Sequence, residues 1–102
     1  MVKEITDQEF EKEVLESKVP VLVDIFAAWC GPCRMLSPII DGLAVTVGDK
    51  AKVVKMDADK CKTASQYGVT ALPTVLIFEN GQVINTMVGV NPPANYLKEL
   101  DV

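Results

Sequence analysis

The chain has 102 residues, enough for one domain with one core. Apolar residues make up 49% and charged residues 24%, both near the globular average, so disorder is not expected. Lys and Arg number 10 against 14 Asp and Glu, for a net charge of −4, and histidine is absent; this argues against a nucleic-acid partner and excludes a Ser-His-Asp triad, a Cys-His nucleophile pair and a His-ligated metal.

The N-terminal run up to Asp7 is polar and acidic, the wrong composition for a signal peptide. The most apolar stretch, Val19 to Trp29, is broken by Pro20 and Asp24 and is too short to cross a bilayer. A cytoplasmic, monomeric protein with no membrane partner is expected. In such a chain three cysteines point to redox or metal chemistry rather than to a disulfide scaffold.

Val2 to Ile5 suits a short edge strand. Thr6-Asp7-Gln8-Glu9 then has the pattern of a capping box, with Ile5 and Phe10 at staple spacing. Phe10, Val14 and Leu15 give a narrow apolar stripe, which predicts a surface helix over about residues 7–17, stopped by Pro20. Val21 to Ala27 is apolar on both alternating faces, the mark of a central strand covered on two sides, with Asp24 its one misfit. Leu36, Ile40, Leu43 and Val47 recur at helical spacing, with Pro32 in the first turn, a kink expected at Pro38 and a stop at Gly48.

Val53 to Met56 reads as a second buried strand, interrupted by Lys55, and Lys60 to Tyr67 as a short helix ended by Gly68. Thr74 to Phe78, then Asn80-Gly81, then Val83 to Val88 is a hairpin. Asn91, as N-cap before Pro92-Pro93, opens a last helix carrying Tyr96, Leu97 and Leu100. The order implies an α/β protein: a central mixed β-sheet flanked by helices on both faces.

Cys30-Gly31-Pro32-Cys33 admits three readings: two ligands of a metal site, a redox dithiol, or two inert buried thiols. A structural zinc site needs four N or S ligands, and the only other such ligand, Cys61, lies in another segment. Redox chemistry suits the context better. Cys30 follows a buried strand and opens a helix, where free N–H groups and the helix dipole favour a thiolate. Cys33 falls one turn in, close enough to bridge Cys30 and further from solvent. Disulfide exchange needs that division: one thiolate attacks, and the second resolves the mixed disulfide. Asp24, among apolar neighbours, has its charged form disfavoured by desolvation. Lys55 either points to solvent or faces the site. Cys61, between Lys60 and Lys62, sits in an electropositive setting that favours a thiolate if exposed, though a free surface thiol without function is its plainer reading.

Trp29-Cys30-Gly31-Pro32-Cys33, Asp24 upstream, Thr74 after Pro73, Asn80-Gly81 and Val88-Gly89 together resemble the thioredoxin family, over about Thr6 to Leu100. The resemblance implies the thioredoxin fold and reduction of disulfide-containing target proteins. It implies no bound cofactor and no metal; electrons come from NADPH or ferredoxin through a thioredoxin reductase. By the same resemblance Cys30 is the nucleophile, Cys33 the resolving thiol, Asp24 the buried acid–base group and Lys55 its charged partner. Leu72-Pro73 is a cis-proline turn facing the dithiol, and Trp29, Gly31, Pro32, Ala71, Leu72, Pro73, Val88, Gly89 and Val90 form the surface that receives substrate. Phe26, Ala28 and Met87 depart from the common pattern, where a second Trp, a polar residue and a lysine are frequent, so the rim around the dithiol carries less charge than usual.

Overall fold

Val21–Phe26 forms strand β2 at the centre of the sheet, and its residues up to Ile25 are buried because both of its faces are covered. The computed structural model describes residues 2–102. Besides β2, the strands are β1 (Lys3–Glu4), β3 (Lys52–Asp57), β4 (Thr74–Glu79) and β5 (Gln82–Val88). The helices are α1 (Asp7–Phe10), α2 (Gly31–Val47), α3 (Thr63–Gln66) and α4 (Pro93–Leu100). Sheet order is β1-β3-β2-β4-β5, with β1, β3 and β2 parallel and with β4 antiparallel to both β2 and β5. The mixed sheet expected from the element order is therefore present.

Alternation along β2 and β4 divides the core in two. Leu22, Val75 and Ile77 pack with Leu36, Ile40 and Leu43 of α2 and with Tyr96 and Leu100 of α4. Val21, Val23, Ile25, Leu76 and Phe78 pack with Phe10 of α1, Val14 and Ala64 of α3 on the opposite face. Asp24 shares the face of Leu22 by the two-residue period, so it points toward α2.

Several boundaries differ from the sequence reading. The first helix widens after Phe10 into a π-helical turn (Glu11–Leu15), closed by the Glu16 N–H on the Glu11 carbonyl at 2.9 Å, and it ends short of residue 17. At its start the Glu9 carboxylate accepts from the Thr6 N–H at 3.0 Å and from the Thr6 hydroxyl at 3.2 Å. The bounds of α2, by contrast, follow the sequence reading: the helix includes Pro38, runs to Val47 and stops at Gly48.

α3 begins at Thr63 rather than Lys60. The N–H groups of Lys60 and Cys61 turn back onto the Asp57 carbonyl at 3.1 and 3.0 Å. The helix start is then capped from across the molecule: Asp7 accepts from the Lys62 N–H at 2.8 Å and from the Thr63 N–H at 3.1 Å. Those bonds, the Thr63 hydroxyl first among them, hold the Asp7 carboxyl below its usual range. Pro92, not Asn91, is the N-cap of α4; the Asn91 side-chain oxygen accepts from the Asn95 side-chain amide at 3.3 Å rather than from a backbone N–H of the first turn.

Candidate active site

β2 delivers the chain to the site at its carboxyl end. Phe26 is its last residue, Ala27 to Trp29 make the turn, and the Cys30 N–H closes it on the Ala27 carbonyl at 3.1 Å. Arg34, one turn into α2, donates from its guanidinium to the Ala28 carbonyl at 3.1 Å and ties the turn down. Cys30 is the N-cap of α2 and Pro32 lies in its first turn, as the spacing predicted.

Cys30 and Cys33 are joined as a disulfide, with Cα atoms 5.3 Å apart. The expected difference in exposure between them is not found: Cys30 is 4% exposed and Cys33 5%. In the bonded form both sulfurs pack under Ala27 and Leu72, which levels their access. Their surroundings differ instead. The Cys30 sulfur accepts the Cys33 N–H at 3.2 Å, a bond that favours negative charge on Cys30. Cys33 faces inward, onto a cavity of 190 Å³ whose walls include Asp24, Ser37, Arg34 and Lys55.

Asp24 is 4% exposed, and its Oδ1 has no hydrogen-bond partner. Burial pushes its pKa up to about 6, opposed by the charge of Lys55. Lys55 stands directly across from Asp24 in the β2–β3 register, and its ammonium lies 5.5 Å over the Phe26 ring. Both carboxylate and cation thus reach the cavity behind Cys33.

On the outer side, the Leu72-Pro73 peptide is cis, and Leu72 packs on the dithiol. The Thr74 hydroxyl donates to the Ala71 carbonyl at 2.6 Å, and the Pro73 carbonyl accepts the Gly89 N–H at 2.8 Å. Gly89 has φ +85°, a conformation that a side chain would strain, and this lets the chain turn in beside Pro73. Around this centre Gly31, Pro32, Ala71, Trp29, Val88 and Val90 are exposed, with Trp29 at 68%. Pro73 itself is buried, so the turn offers backbone rather than a ring.

Trp29 also borders a groove of 570 Å³ running past Ala58, Asp59, Lys62, Thr70 and Leu72. Its indole N–H donates to the Asp59 carboxylate at 2.8 Å. Asp59 went unnoticed in the sequence, as did Arg34; the available signal was position, since Asp59 lies just past the carboxyl end of β3, where open α/β sheets place their sites. Cys61, by contrast, is not electropositive. Burial pushes its thiol up, and Asp7, Asp57 and Glu4 add negative charge around it. Lys60 and Lys62 are neighbours in sequence but exposed, whereas the acidic groups come from other elements.

Among the described residues, no three His, Cys, Asp or Glu side chains gather as a metal site, and no helix is long and apolar enough to cross a membrane. The arrangement is a dithiol/disulfide couple, backed by a buried carboxylate and faced by an apolar rim. A family model described as Thioredoxin matches residues 1–101. Thioredoxin 1 of Synechococcus elongatus is 48% identical over 98 residues, covering 95% of this chain and 92% of the relative. Thioredoxin of Rickettsia prowazekii is 50% identical over 91 residues, covering 88% and 87%, and that of Griffithsia pacifica 45% over 100 residues, covering 97% and 92%. With sequence, sheet topology and dithiol in agreement, the chain belongs to the thioredoxin family.

Proposed function

We propose that Cys30 attacks substrate disulfides, that Cys33 resolves the mixed disulfide and that Asp24 handles the proton of Cys33. The protein is a thiol–disulfide oxidoreductase of the protein-disulfide reductase kind. In the reduced protein the Cys30 thiolate attacks one sulfur of a substrate disulfide. A Cys30–substrate bond forms, the substrate S–S bond breaks, and the second substrate sulfur leaves as a thiolate that takes a proton from water. Cys33 gives its proton to Asp24, directly or through water in the cavity, and attacks the Cys30 sulfur. The first substrate sulfur leaves and is protonated in turn. Two electrons have then passed to the substrate, and the Cys30–Cys33 bond is closed.

The observation that carries this assignment of roles is the shared cavity. A carboxylate whose pKa is raised to about 6 lies on the same 190 Å³ space as the inner cysteine. At neutral pH it is mostly ionised, yet it is a better base than an ordinary carboxylate. Lys55 keeps enough of it ionised to act. The rim of Trp29, Gly31, Pro32, Ala71, Leu72, Pro73, Val88, Gly89 and Val90 receives an extended stretch of the target around its disulfide, with apolar contacts that select weakly.

Disulfide-bearing proteins and a reductase are its partners in general terms; on this reading a thioredoxin reductase fed by NADPH or ferredoxin returns the electrons, and no cofactor is held by the chain itself. A free Cys61 and a dithiol that must be kept reduced suit a monomer working in a reducing compartment such as the cytoplasm. Cys33→Ser is expected to accumulate mixed disulfides between Cys30 and target proteins, visible on non-reducing gels, while Cys30→Ser accumulates none. Adducts formed by the Cys30→Ser protein would reverse the two roles, and a wild-type protein that fails to accelerate insulin reduction by dithiothreitol would remove the activity.

A further inference from the structure

Tyr96 is fully buried in the α2–α4 half of the core, yet its hydroxyl does not serve the core. It accepts the Asn91 N–H at 3.1 Å and donates to the Gly89 carbonyl at 3.5 Å. Both partners belong to the segment between β5 and α4 that carries Gly89 and Val90 of the substrate-facing rim. The same segment is held at its other side by the Gly89 N–H on the Pro73 carbonyl at 2.8 Å. Beyond it, the Asn95 side chain donates to the Asn91 side chain at 3.3 Å, and Pro92 and Pro93 have their φ angles fixed by their rings.

A buried hydroxyl costs free energy unless it is bonded, and an apolar residue would fill the same core position without that requirement. Here the ring packs the core, and the hydroxyl spans from the core to the rim. We propose that Tyr96 is a positioning residue for substrate recognition: it holds the Gly89–Asn91 segment in its binding shape, so that targets do not bear the cost of ordering it. The proposal rests on the reading of Val88, Gly89 and Val90 as substrate surface. The Tyr96 hydroxyl bonds to Asn91 and Gly89, not to either cysteine or to Asp24, so its effect falls on binding rather than on the exchange steps.

Tyr96→Phe keeps the ring and removes only the hydroxyl. With insulin as the protein disulfide, its KM is expected to rise about two- to tenfold, the range open to one buried hydrogen bond, with kcat unchanged. The rate of the reduced protein with a small disulfide, 5,5′-dithiobis(2-nitrobenzoic acid), and the reduction potential of the dithiol are expected to stay at parental values. Hydrogen exchange at the Asn91 amide is expected to quicken in the variant. A parental KM for insulin, or equal losses on insulin and the small disulfide, overturns the proposal. Val90→Asp separates this from the underlying reading: if it too leaves the insulin KM untouched, the surface assignment has failed, and the role of Tyr96 with it.

Discussion

At Asp24 a carboxylate is kept where a Val or Leu would stabilise the fold. Its pKa rises from 3.8 to about 6 on folding because burial disfavours the charge, with Lys55 offsetting part of the rise. The folded chain therefore holds this proton more tightly than the unfolded chain. The pH-dependent part of the penalty is absent below 3.8; it grows as pH climbs toward about 6 and then levels off, reaching on the order of 3 kcal/mol at pH 7. Asp24→Ala is expected to be more stable than the parent at pH 7, to lose most of that gain near pH 4, and to turn over more slowly. Urea melts at the two pH values and an insulin assay check all three, and a variant less stable at pH 7 would show that the burial penalty is not there. Cys61 has the opposite balance from Cys30, since burial and surrounding acids keep it as a thiol. Limiting iodoacetamide on the reduced protein should label Cys30 about tenfold or more ahead of Cys61 at neutral pH, as peptide mapping would report.

Among the elements, the β4–β5 hairpin shows how a local signal becomes a tertiary constraint. Glu79 pairs with Gln82, leaving Asn80 and Gly81 as a two-residue turn with φ values of 53° and 80°. Gly81 is needed twice over, because a Cβ there would also lie 3.0 Å from the Leu15 carbonyl at the end of the π-helical turn. Gly81→Ala is expected to cost about 1–2 kcal/mol for the left-handed backbone alone, with more from the contact, and to leave the reduction potential unchanged. A denaturant midpoint equal to that of the parent would show that the turn and the first helix do not hold each other. The first helix also reaches α3 through Asp7, so the two helices of that face are joined by polar bonds as well as by Phe10 and Ala64.

Across the whole molecule, the sheet separates chemistry from stability. Asp24, Cys33 and Lys55 meet on the α2 side at the carboxyl ends of β2 and β3, whereas Leu76 is fully buried on the α1 and α3 side. Leu76→Ala should lower stability by about 2–5 kcal/mol through the cavity it leaves. The fraction that remains folded should reduce insulin at the parental rate. A specific activity that falls in step with stability would mean that the two faces are coupled through β4.

Some of this protein was already determined by its order of residues. Two-sided burial of Val21 to Ile25, the Asn-Gly turn and a helix opening at Cys30 are local patterns with one physical solution each, and they place a dithiol at a strand's carboxyl end. The misfit at Asp24 was legible for the same reason: a charge in a doubly covered strand has nowhere to go but inward. What the sequence left open depended on groups distant in the chain. Cys61 looked electropositive beside Lys60 and Lys62, but those side chains extend into solvent while Asp7 and Glu4 arrive from the first helix and strand. The start of α3 waited on Asp7, the partner of Trp29 on Asp59, and the shape of the Gly89–Asn91 segment on Tyr96. Even the equal covering of the two cysteines came from Leu72 and Ala27 closing over them. Periodicity reports which face of an element is buried, but only the folded chain decides which polar group meets which, because a hydrogen bond acts over about 3 Å and sequence spacing carries no such distance.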